Sequence, residues 1–336
     1  MKKLSLINKI VYIINSLMAT LLLLSYILPY TSPKLFPSFA ILSLLAPIII
    51  LINIAFVLYW LVGLKKQFLL STLVLTLGWF LIPNIYKFSG NTSSLNDDLK
   101  VMSYNVRVFN YWNWTDNKNS SQLIKDFIKK ASPDLLLVQE NYDEKKNNLK
   151  YPYSYIKSNI KSKKAGLAIF SKFPIINKGS LNFKNTANDI IFVDIVKKKD
   201  TIRVYNFHLQ SLHLRPEKEN FGQENSRKLI ERLKDGFVKQ ATQTELFLAH
   251  EKQWKGKKII GGDFNNTSYS WVYNQISKDK KDAFIEAGTG FGKTFDYWFP
   301  MRIDFILTDN EAIINKFTSF SEKNSDHFPI QAKINW

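Results

Sequence analysis

Hydrophobic and polar positions divide this chain into two unlike parts. Through about the first ninety residues apolar positions run almost unbroken, whereas from Leu99 onward they come in short runs between polar stretches. The first part holds three apolar stretches, at about residues 10–28, 39–64 and 68–86. Each is near the ~20 residues that a helix needs to cross a bilayer, the third at the short end of the range. Pro29, Pro33 and Pro37 break the chain between the first two, and Lys65 and Lys66 separate the second from the third. Residues 1–90 are therefore expected to form an all-α membrane region of three transmembrane helices. Residues 91–98 ("NTSSLNDD") read as a polar linker, and 99–336 as one large α/β domain.

In that second part "LKVMSYNV" (Leu99–Val106) alternates and is rich in β-formers, and "PDLLLVQE" is a continuous apolar run of the kind found in buried strands. "GLAIFS", "DIIFVDIV" and "TIRVYNFHLQ" predict three more strands, the last two joined by a turn at Lys197–Asp200. "KKIIGGDF", "RIDFILTD" and "FPIQAKINW" predict the rest. "SQLIKDFIKKA" has helical spacing with Ser120 or Ser121 as cap. The stretch from about Pro216 to Trp254 is predicted helical, with a break near Gly236. Strands joined sometimes by helices and sometimes by hairpins predict mixed sheets in a sandwich.

Charge sharpens the division. Seven of the 46 basic residues and none of the 28 acidic ones occur through Gly90. The net charge of +18 suits phosphates or anionic lipid surfaces, although much of it is Lys scattered among Asn, the pattern of a solvated face. The chain has no Cys, which excludes disulfides and thiolate metal sites. Lys2, Lys3 and Lys9 at the amino terminus, and Lys65 and Lys66 in the second loop, outnumber Lys34 in the first loop. The positive-inside rule then places the amino terminus in the cytoplasm and everything after Tyr86 outside it. Tyr30, Trp60, Trp79 and Tyr86 lie near the ends of the stretches, where amphipathic rings favour the interface. A cleaved signal peptide fits the first stretch less well, because "LPYTSPK" and not a small-residue cleavage site follows it.

Polar residues of chemical use close the predicted strands: Asn105, Glu140, Asn206 and His208, Asp263 and Asn265, Asp304, and then Asp326 and His327. The strand period of two puts Asp263 and Asn265 on one side with Phe264 turned into the core, and Asn206 beside His208. Gly261 and Gly262 permit close backbone approach there. Taken singly, each residue has an ordinary reading as a turn residue, a cap or a packed imidazole. Together they supply carboxylates for a hard cation, amides for phosphate oxygens and two imidazoles. The other two histidines, His213 and His250, read as structural.

In order, "MSYNV", "VQE", "GLAIFSKFPI", "NFHLQS", "GGDFN", "RIDFIL" and "SDHFPI" resemble the endonuclease/exonuclease/phosphatase family, also called the DNase I-like fold. The resemblance runs from about Leu99 to Trp336, and "GDFN" and "SDH" are its most specific parts. It implies a four-layer α/β sandwich of two mixed β-sheets flanked by helices. It also implies hydrolysis of phosphate esters with a divalent metal, usually Mg²⁺, with Mn²⁺ a second candidate. By resemblance Glu140 is the principal metal ligand, with Asn105 beside it and Asp326 as a further ligand or ligand-positioning carboxylate. Asp263 and Asn265 would orient the attacking water and contact the phosphate. Asp304 would hold His327 in one tautomer, and His208 would face the phosphate or leaving group. Either Asp263 or His327 is the base.

"AGTGFGKT" (Ala287–Thr294) nearly matches a phosphate-binding P-loop, but Ala287 stands where glycine is needed and no helix pattern follows. The aromatic "FNYWNWTDN" (Phe109–Asn117) could stack bases, touch lipid or pack on the sheet. The expected function is a membrane-anchored phosphoesterase, and its substrate is a nucleic acid, a phospholipid head group or a small phosphate ester. A lipid bilayer would be its other partner. A catalytically inactive binding protein would not need the whole set of acids, amides and imidazoles. A transport role is disfavoured by spans that carry no ionised residue. Protease added to intact cells should clip the carboxy-terminal domain; full protection would reject an extracytoplasmic placement.

Overall fold

In a computed structural model, residues 4–83, 85–93, 95, 97–142, 149–158, 165–214 and 223–336 are described. Lys2 and Lys3, used for the orientation, and 216–222 of the predicted long helix lie outside the described residues.

The amino-terminal part is helical: α1 (Leu6–Ser25), α2 (Pro37–Ala40), α3 (Leu42–Val62) and α4 (Phe68–Leu81). Ser5 starts α1 by accepting from the Asn8 amide, and Pro37 sits at the first helical position of α2. By length and composition α1 and α3 can cross a membrane, and α4 is a shorter apolar helix. The expectation of three crossings is thus met by two helices. α4 stops at Leu81, well short of the predicted residue 86, because Pro83 forces Ile82 into an extended conformation. Its 14 residues span about 21 Å against ~30 Å of hydrocarbon.

These helices bury a polar row within an apolar interior and expose many apolar side chains. Trp60 Nε1 donates to Asn15 Oδ1 at 2.9 Å, Asn15 Nδ2 to Ser71 Oγ at 2.5 Å, and Ser71 Oγ to Asn53 Oδ1 at 2.9 Å. All four side chains are buried, while Ile13, Leu17, Leu58 and Leu73 are exposed. Ala19, Leu22, Ala46, Ile49, Ile50 and Val74 fill the rest of the interior. Tyr59 donates to Asn8 at 2.8 Å, so the start of α1 lies beside the end of α3.

Twelve strands follow: β1 (Leu99–Asn105), β2 (Leu135–Tyr142), β3 (Tyr153–Ser158), β4 (Ala165–Ser171), β5 (Ile175–Ser180), β6 (Asp189–Lys197), β7 (Asp200–His208), β8 (Lys258–Asp263), β9 (Lys280–Asp282), β10 (Asp304–Asp309), β11 (Ile313–Ser319) and β12 (Ile330–Asn335). They form two six-stranded sheets, ordered β11-β12-β1-β2-β4-β3 and β5-β6-β7-β8-β10-β9. Each sheet is antiparallel except for one central parallel pair, β1 with β2 and β7 with β8. The helices are α5 (Ser120–Ala131), α6 (Gln223–Glu251), α7 (Trp271–Ser277) and α8 (Ala283–Ala287). α6 runs straight through Gly236, which the sequence reading took for a break. A side chain there would strike Leu212, so the glycine serves close packing. β3, β5, β9 and β11 were not predicted; on β5 and β11 polar or exposed positions interrupt the apolar signal.

Strand alternation builds the layers. Leu99 and Val101, Leu135 and Leu137, and Ile202, Val204, Ile259 and Ile306 meet between the sheets. Met102, Tyr104, Leu136 and Val138 face outward onto Ile124 and Ile128 of α5. Tyr205, Phe207, Ile260, Phe264 and Phe305 face the opposite way onto Phe247 of α6 and Val272 of α7. The result is helix, sheet, sheet, helix.

The two parts of the chain are joined by packing as well as by 91–98. Ser43 Oγ donates to Asn266 Oδ1 at 3.1 Å, and Thr267 Oγ1 donates to the Ser43 carbonyl at 2.6 Å. Asn274 Nδ2 donates to the Pro29 carbonyl, and Ala40 and Leu44 pack with Phe237, Phe295 and Met301. The 91–98 segment is held too: Asn91 donates to the Ile314 carbonyl, and Lys197 donates to that of Asp97.

Gly262 has φ +134°, and a Cβ there would lie 2.2 Å from the Phe207 carbonyl oxygen. Gly262→Ala should cost about 2 kcal/mol or more of stability, because strain and collision add. A lowered urea midpoint of the tryptophan fluorescence transition is the expected reading.

Candidate active site

The inward parity that carries Leu99 and Val101 along β1 ends on Asn105. The same parity carries β7 to Asn206 and His208, β8 to Asp263 and β10 to Asp304. The registers bring these ends together: His208 pairs with Asp263, and Asp263 with Asp304. Asn105 Nδ2 reaches across from the other sheet to Asp263 Oδ2 at 3.1 Å.

Asn206 lies one layer deeper. It accepts from Gln139 at 2.6 Å and donates to the carbonyls of Val138 and Ala168. It clamps the sheets and is not part of the cleft. Glu140 follows Gln139, so strict alternation would point it outward at α5. Two features re-aim it. β2 carries one extra residue against β4 between Val138 and Asn141, and Glu140 takes φ +51°. Its carboxylate thereby comes 4.0 Å from His208 Nε2.

Asp263 is 1% exposed and accepts three hydrogen bonds: Oδ1 from the Asn265 backbone at 2.7 Å, and Oδ2 from Asn105 and from Asn265 Nδ2 at 3.2 Å. Asn265 leaves the strand at φ +50°, which folds its amide back over Asp263. His327 Nδ1 lies 2.9 Å from Asp304 Oδ2, and its Nε2 lies 3.8 Å from Asp263 Oδ2. His208 Nε2 is also 3.8 Å from Asp263. Thus His208, Asp263, Asn265, Asp304 and His327 surround one point, with Asn105 and Glu140 at its rim.

Asp326 lines the same cleft, but Arg107 grips it at 3.1 Å. Arg107 itself lies over the Trp114 ring at 4.4 Å, so part of the aromatic loop supports the site by packing. The sequence reading missed Arg107; its signal was a lone cation two residues past a strand-ending Asn. It also took His213 as structural, whereas His213 lines the cleft. His250 is structural as expected, 3.1 Å from the Tyr205 hydroxyl and packed on Phe192. The glycine-rich "AGTGFGKT" supplies Thr294, whose buried Oγ1 accepts from the amides of Ile303 and Asp304. It positions Asp304.

Burial sets the protonation states. It pushes the His208 imidazole down to about 3, with the His327 charge adding to the effect. Burial also opposes charge on His327, but the carboxylates of Asp304 and Asp263 outweigh it and raise the ring to about 10. Burial raises the Asp263 carboxyl, Asp304 raises it further, and His327 opposes. Desolvation and then the Asp326 charge raise Glu140.

Asp263, Asp304 and His327 offer ligand atoms within 4.8 Å of one another. Asp304 and His327 already satisfy each other, so this cluster reads as a carboxylate–imidazole pair. Glu140 is different. Its side chain is one-third exposed, and among the described residues no cation lies within hydrogen-bonding distance of it. Oxygen donors from Glu140, Asn105 and Asp326 are of the kind that hard divalent cations prefer.

A family model described as the Endonuclease/Exonuclease/phosphatase family matches residues 102–327. The chain belongs to this family. Its members are hydrolases of phosphate esters and generally use a divalent metal. Residues 8–85 match a second family, described as a domain of unknown function. The human Nocturnin catalytic domain with bound sulfate is similar in fold, with a TM-score of 0.54 at 16% identity over 72% of this chain and 96% of that one. An endonuclease/exonuclease/phosphatase family protein from Bacteroides thetaiotaomicron gives 0.52 at 16% identity, covering 72% and 98%. A mannosyl-6-phosphatase of the same organism gives 0.51 at 16%, covering 71% and 100%. Among curated proteins none matches the chain. The expected DNase I-like sandwich of two mixed sheets is therefore what the chain adopts.

Asp304 supports the charge on His327, so removing it should lower the imidazole pKa. In proton NMR titration of the metal-free protein, Asp304→Asn should shift His327 down by about one unit or more; an unmoved titration would dissolve the pair.

Proposed function

We propose that this family member is a membrane-anchored, divalent-metal-dependent phosphoesterase. It hydrolyses phosphodiester or phosphomonoester bonds by in-line attack of water. The observation that carries this reading is the convergence of Asn105, Glu140, Asp263, Asn265 and His327 on one cleft from both sheets, with His208 beside Glu140 and Asp263. Family membership supplies the reaction class.

Glu140, Asn105 and Asp326 would hold the metal, Mg²⁺ or Mn²⁺. When bound, it would offset charge on the phosphate oxygens. Asp263 is aimed by three N–H donors and takes the proton from the attacking water, which makes it the base in preference to His327. His327 stands between two carboxylates and is a charged donor, suited to a phosphate oxygen. Asp304 fixes which nitrogen of His327 faces the cleft. Asn265 orients Asp263 and borders the phosphate. His208, neutral and 4.0 Å from Glu140, lies on the leaving-group side.

The anchor reading rests on α1 and α3, whose apolar faces are exposed while their polar side chains pair inside. α4 completes the bundle as a shorter third helix. Lys9, Lys65 and Lys66 belong to the end of the bundle remote from the catalytic domain, which favours that domain on the extracytoplasmic side.

Purified full-length protein with Mg²⁺ or Mn²⁺ should hydrolyse at least one of bis(p-nitrophenyl) phosphate, p-nitrophenyl phosphate, plasmid DNA and RNA. Glu140→Gln and His327→Ala should each lower kcat by about 10²–10⁴-fold, and EDTA should abolish turnover reversibly. Near-normal turnover in both variants would defeat the assignment.

A further inference from the structure

The catalytic cleft is walled on one side by a residue of the membrane helices. Leu44, in the first turn of α3, borders a cleft of about 150 Å³ that also touches Glu140, Asp263 and His327. Leu212, Leu214, Phe295, Met301 and Ile303 back the cleft beside it; nearly all are buried, so the open lining is mainly polar. The placement is enforced: Ser43, next to Leu44, exchanges the two hydrogen bonds with Asn266 and Thr267 just past Asn265. From Leu44 the helix runs on as an apolar rod to Val62.

Exposed aromatics surround the place where the helices meet the domain. Tyr30 and Phe36 flank the link between α1 and α2, and Phe88 follows α4. Tyr86 packs on Phe291 at 4.9 Å, and Lys87 pairs with Gly290, so the 288–303 loop is stapled to the end of the bundle. That loop carries Trp298, which is 72% exposed, and Phe295, whose ring lies tilted against His327 at 5.1 Å beside the cleft. Exposed rings in such a girdle favour the lipid head-group zone. On the other side of Glu140 and His208 lies a cavity of about 370 Å³ with a mainly apolar lining that includes Leu167 and Phe183, and with Lys157, Asn182, Asn188 and Asp189 at its polar positions.

We infer that the substrate is a phospholipid diester lying in the same bilayer as the helices. This inference rests on the hydrolase and anchor readings above. The scissile phosphate meets Glu140, Asp263 and His327, and the two ester arms divide between the cleft beside Leu44 and the larger cavity of Lys157 and Asn188. Water adds to phosphorus and one P–O ester bond breaks. Its hydrogen completes the leaving alcohol, which leaves one phosphomonoester and one alcohol. A nucleic acid calls for a track of cations, and among the described residues Arg107 at the cleft is engaged by Asp326.

The test uses the full chain with Mn²⁺ in liposomes of equal parts phosphatidylethanolamine and phosphatidylglycerol. Bis(p-nitrophenyl) phosphate serves as the soluble control in the same preparation. Mass spectrometry reads diacylglycerol, phosphatidic acid and the matching head-group products. Lipid in the protein's own bilayer should turn over about tenfold or more faster than lipid in separate protein-free liposomes, because the anchor raises its effective concentration. Trp298→Glu and Leu44→Asn should each lower the ratio of lipid to soluble-ester turnover by about tenfold. Hydrolysis of the soluble ester without any lipid product, or cleavage of plasmid DNA in preference to lipid, overturns the inference and leaves the hydrolase reading intact. So does a ratio that neither substitution moves. Failure on every ester overturns both.

Discussion

The catalytic domain depends on a row of polar side chains buried between its two sheets. A sandwich of apolar faces can slide; a buried amide without a partner cannot be tolerated. Asn206, on β7 of one sheet, donates to carbonyls of β2 and β4 on the other and accepts from Gln139. One layer nearer the surface Asn105 crosses the same gap to Asp263. These bonds lock the relative position of the sheets to within the tolerance of a hydrogen bond. The catalytic groups at the strand ends inherit that precision.

Outward from this seam the polar groups become progressively less satisfied by protein. Asn206 is fully enclosed, Asp263 is held by three donors, and Glu140 is one-third exposed and free of any cation at bonding distance among the described residues. That gradient separates the groups that hold the structure from those left open to the cleft. The left-handed conformation of Glu140 belongs to the same logic. A residue held at φ +51° persists only because the surrounding strands determine its place, and here it delivers a carboxylate to the cleft.

The amino-terminal helices obey a second polar constraint. Trp60, Asn15, Ser71 and Asn53 pair along the inside of the bundle. Around its sides the bundle exposes apolar side chains such as Ile13, Leu17, Leu58 and Leu73, with Thr20 and Thr76 among them. It meets the domain through Ser43, Pro29 and Leu44 and does not hang from a free tether, so helices and cleft have one geometry. The polar stretch 91–98 looked like a spacer because small polar residues make spacers. In the structure Asn91 and Asp97 tie it to the domain.

Much of this was legible in the chain itself. Uninterrupted apolar runs without acid mark helices for lipid, and alternation in "LKVMSYN" or "TIRVYNFH" decides which side chains face inward. Period two is a local property, so it was enough to align Asn105, His208, Asp263 and Asp304 with the interior. Pro83 would have shortened the third helix had its effect on Ile82 been weighed. What local pattern could not decide was anything set by a neighbouring strand. The extra residue that turns Glu140 inward exists only in the pairing of β2 with β4. The charge on His327 exists only through two carboxylates from other strands. Arg107 finds Asp326, and Leu44 reaches the cleft, across more than two hundred residues of chain. Sequence carries periodicity and chemistry; distances between remote segments arise only when the sheets and helices pack, and those distances make the site.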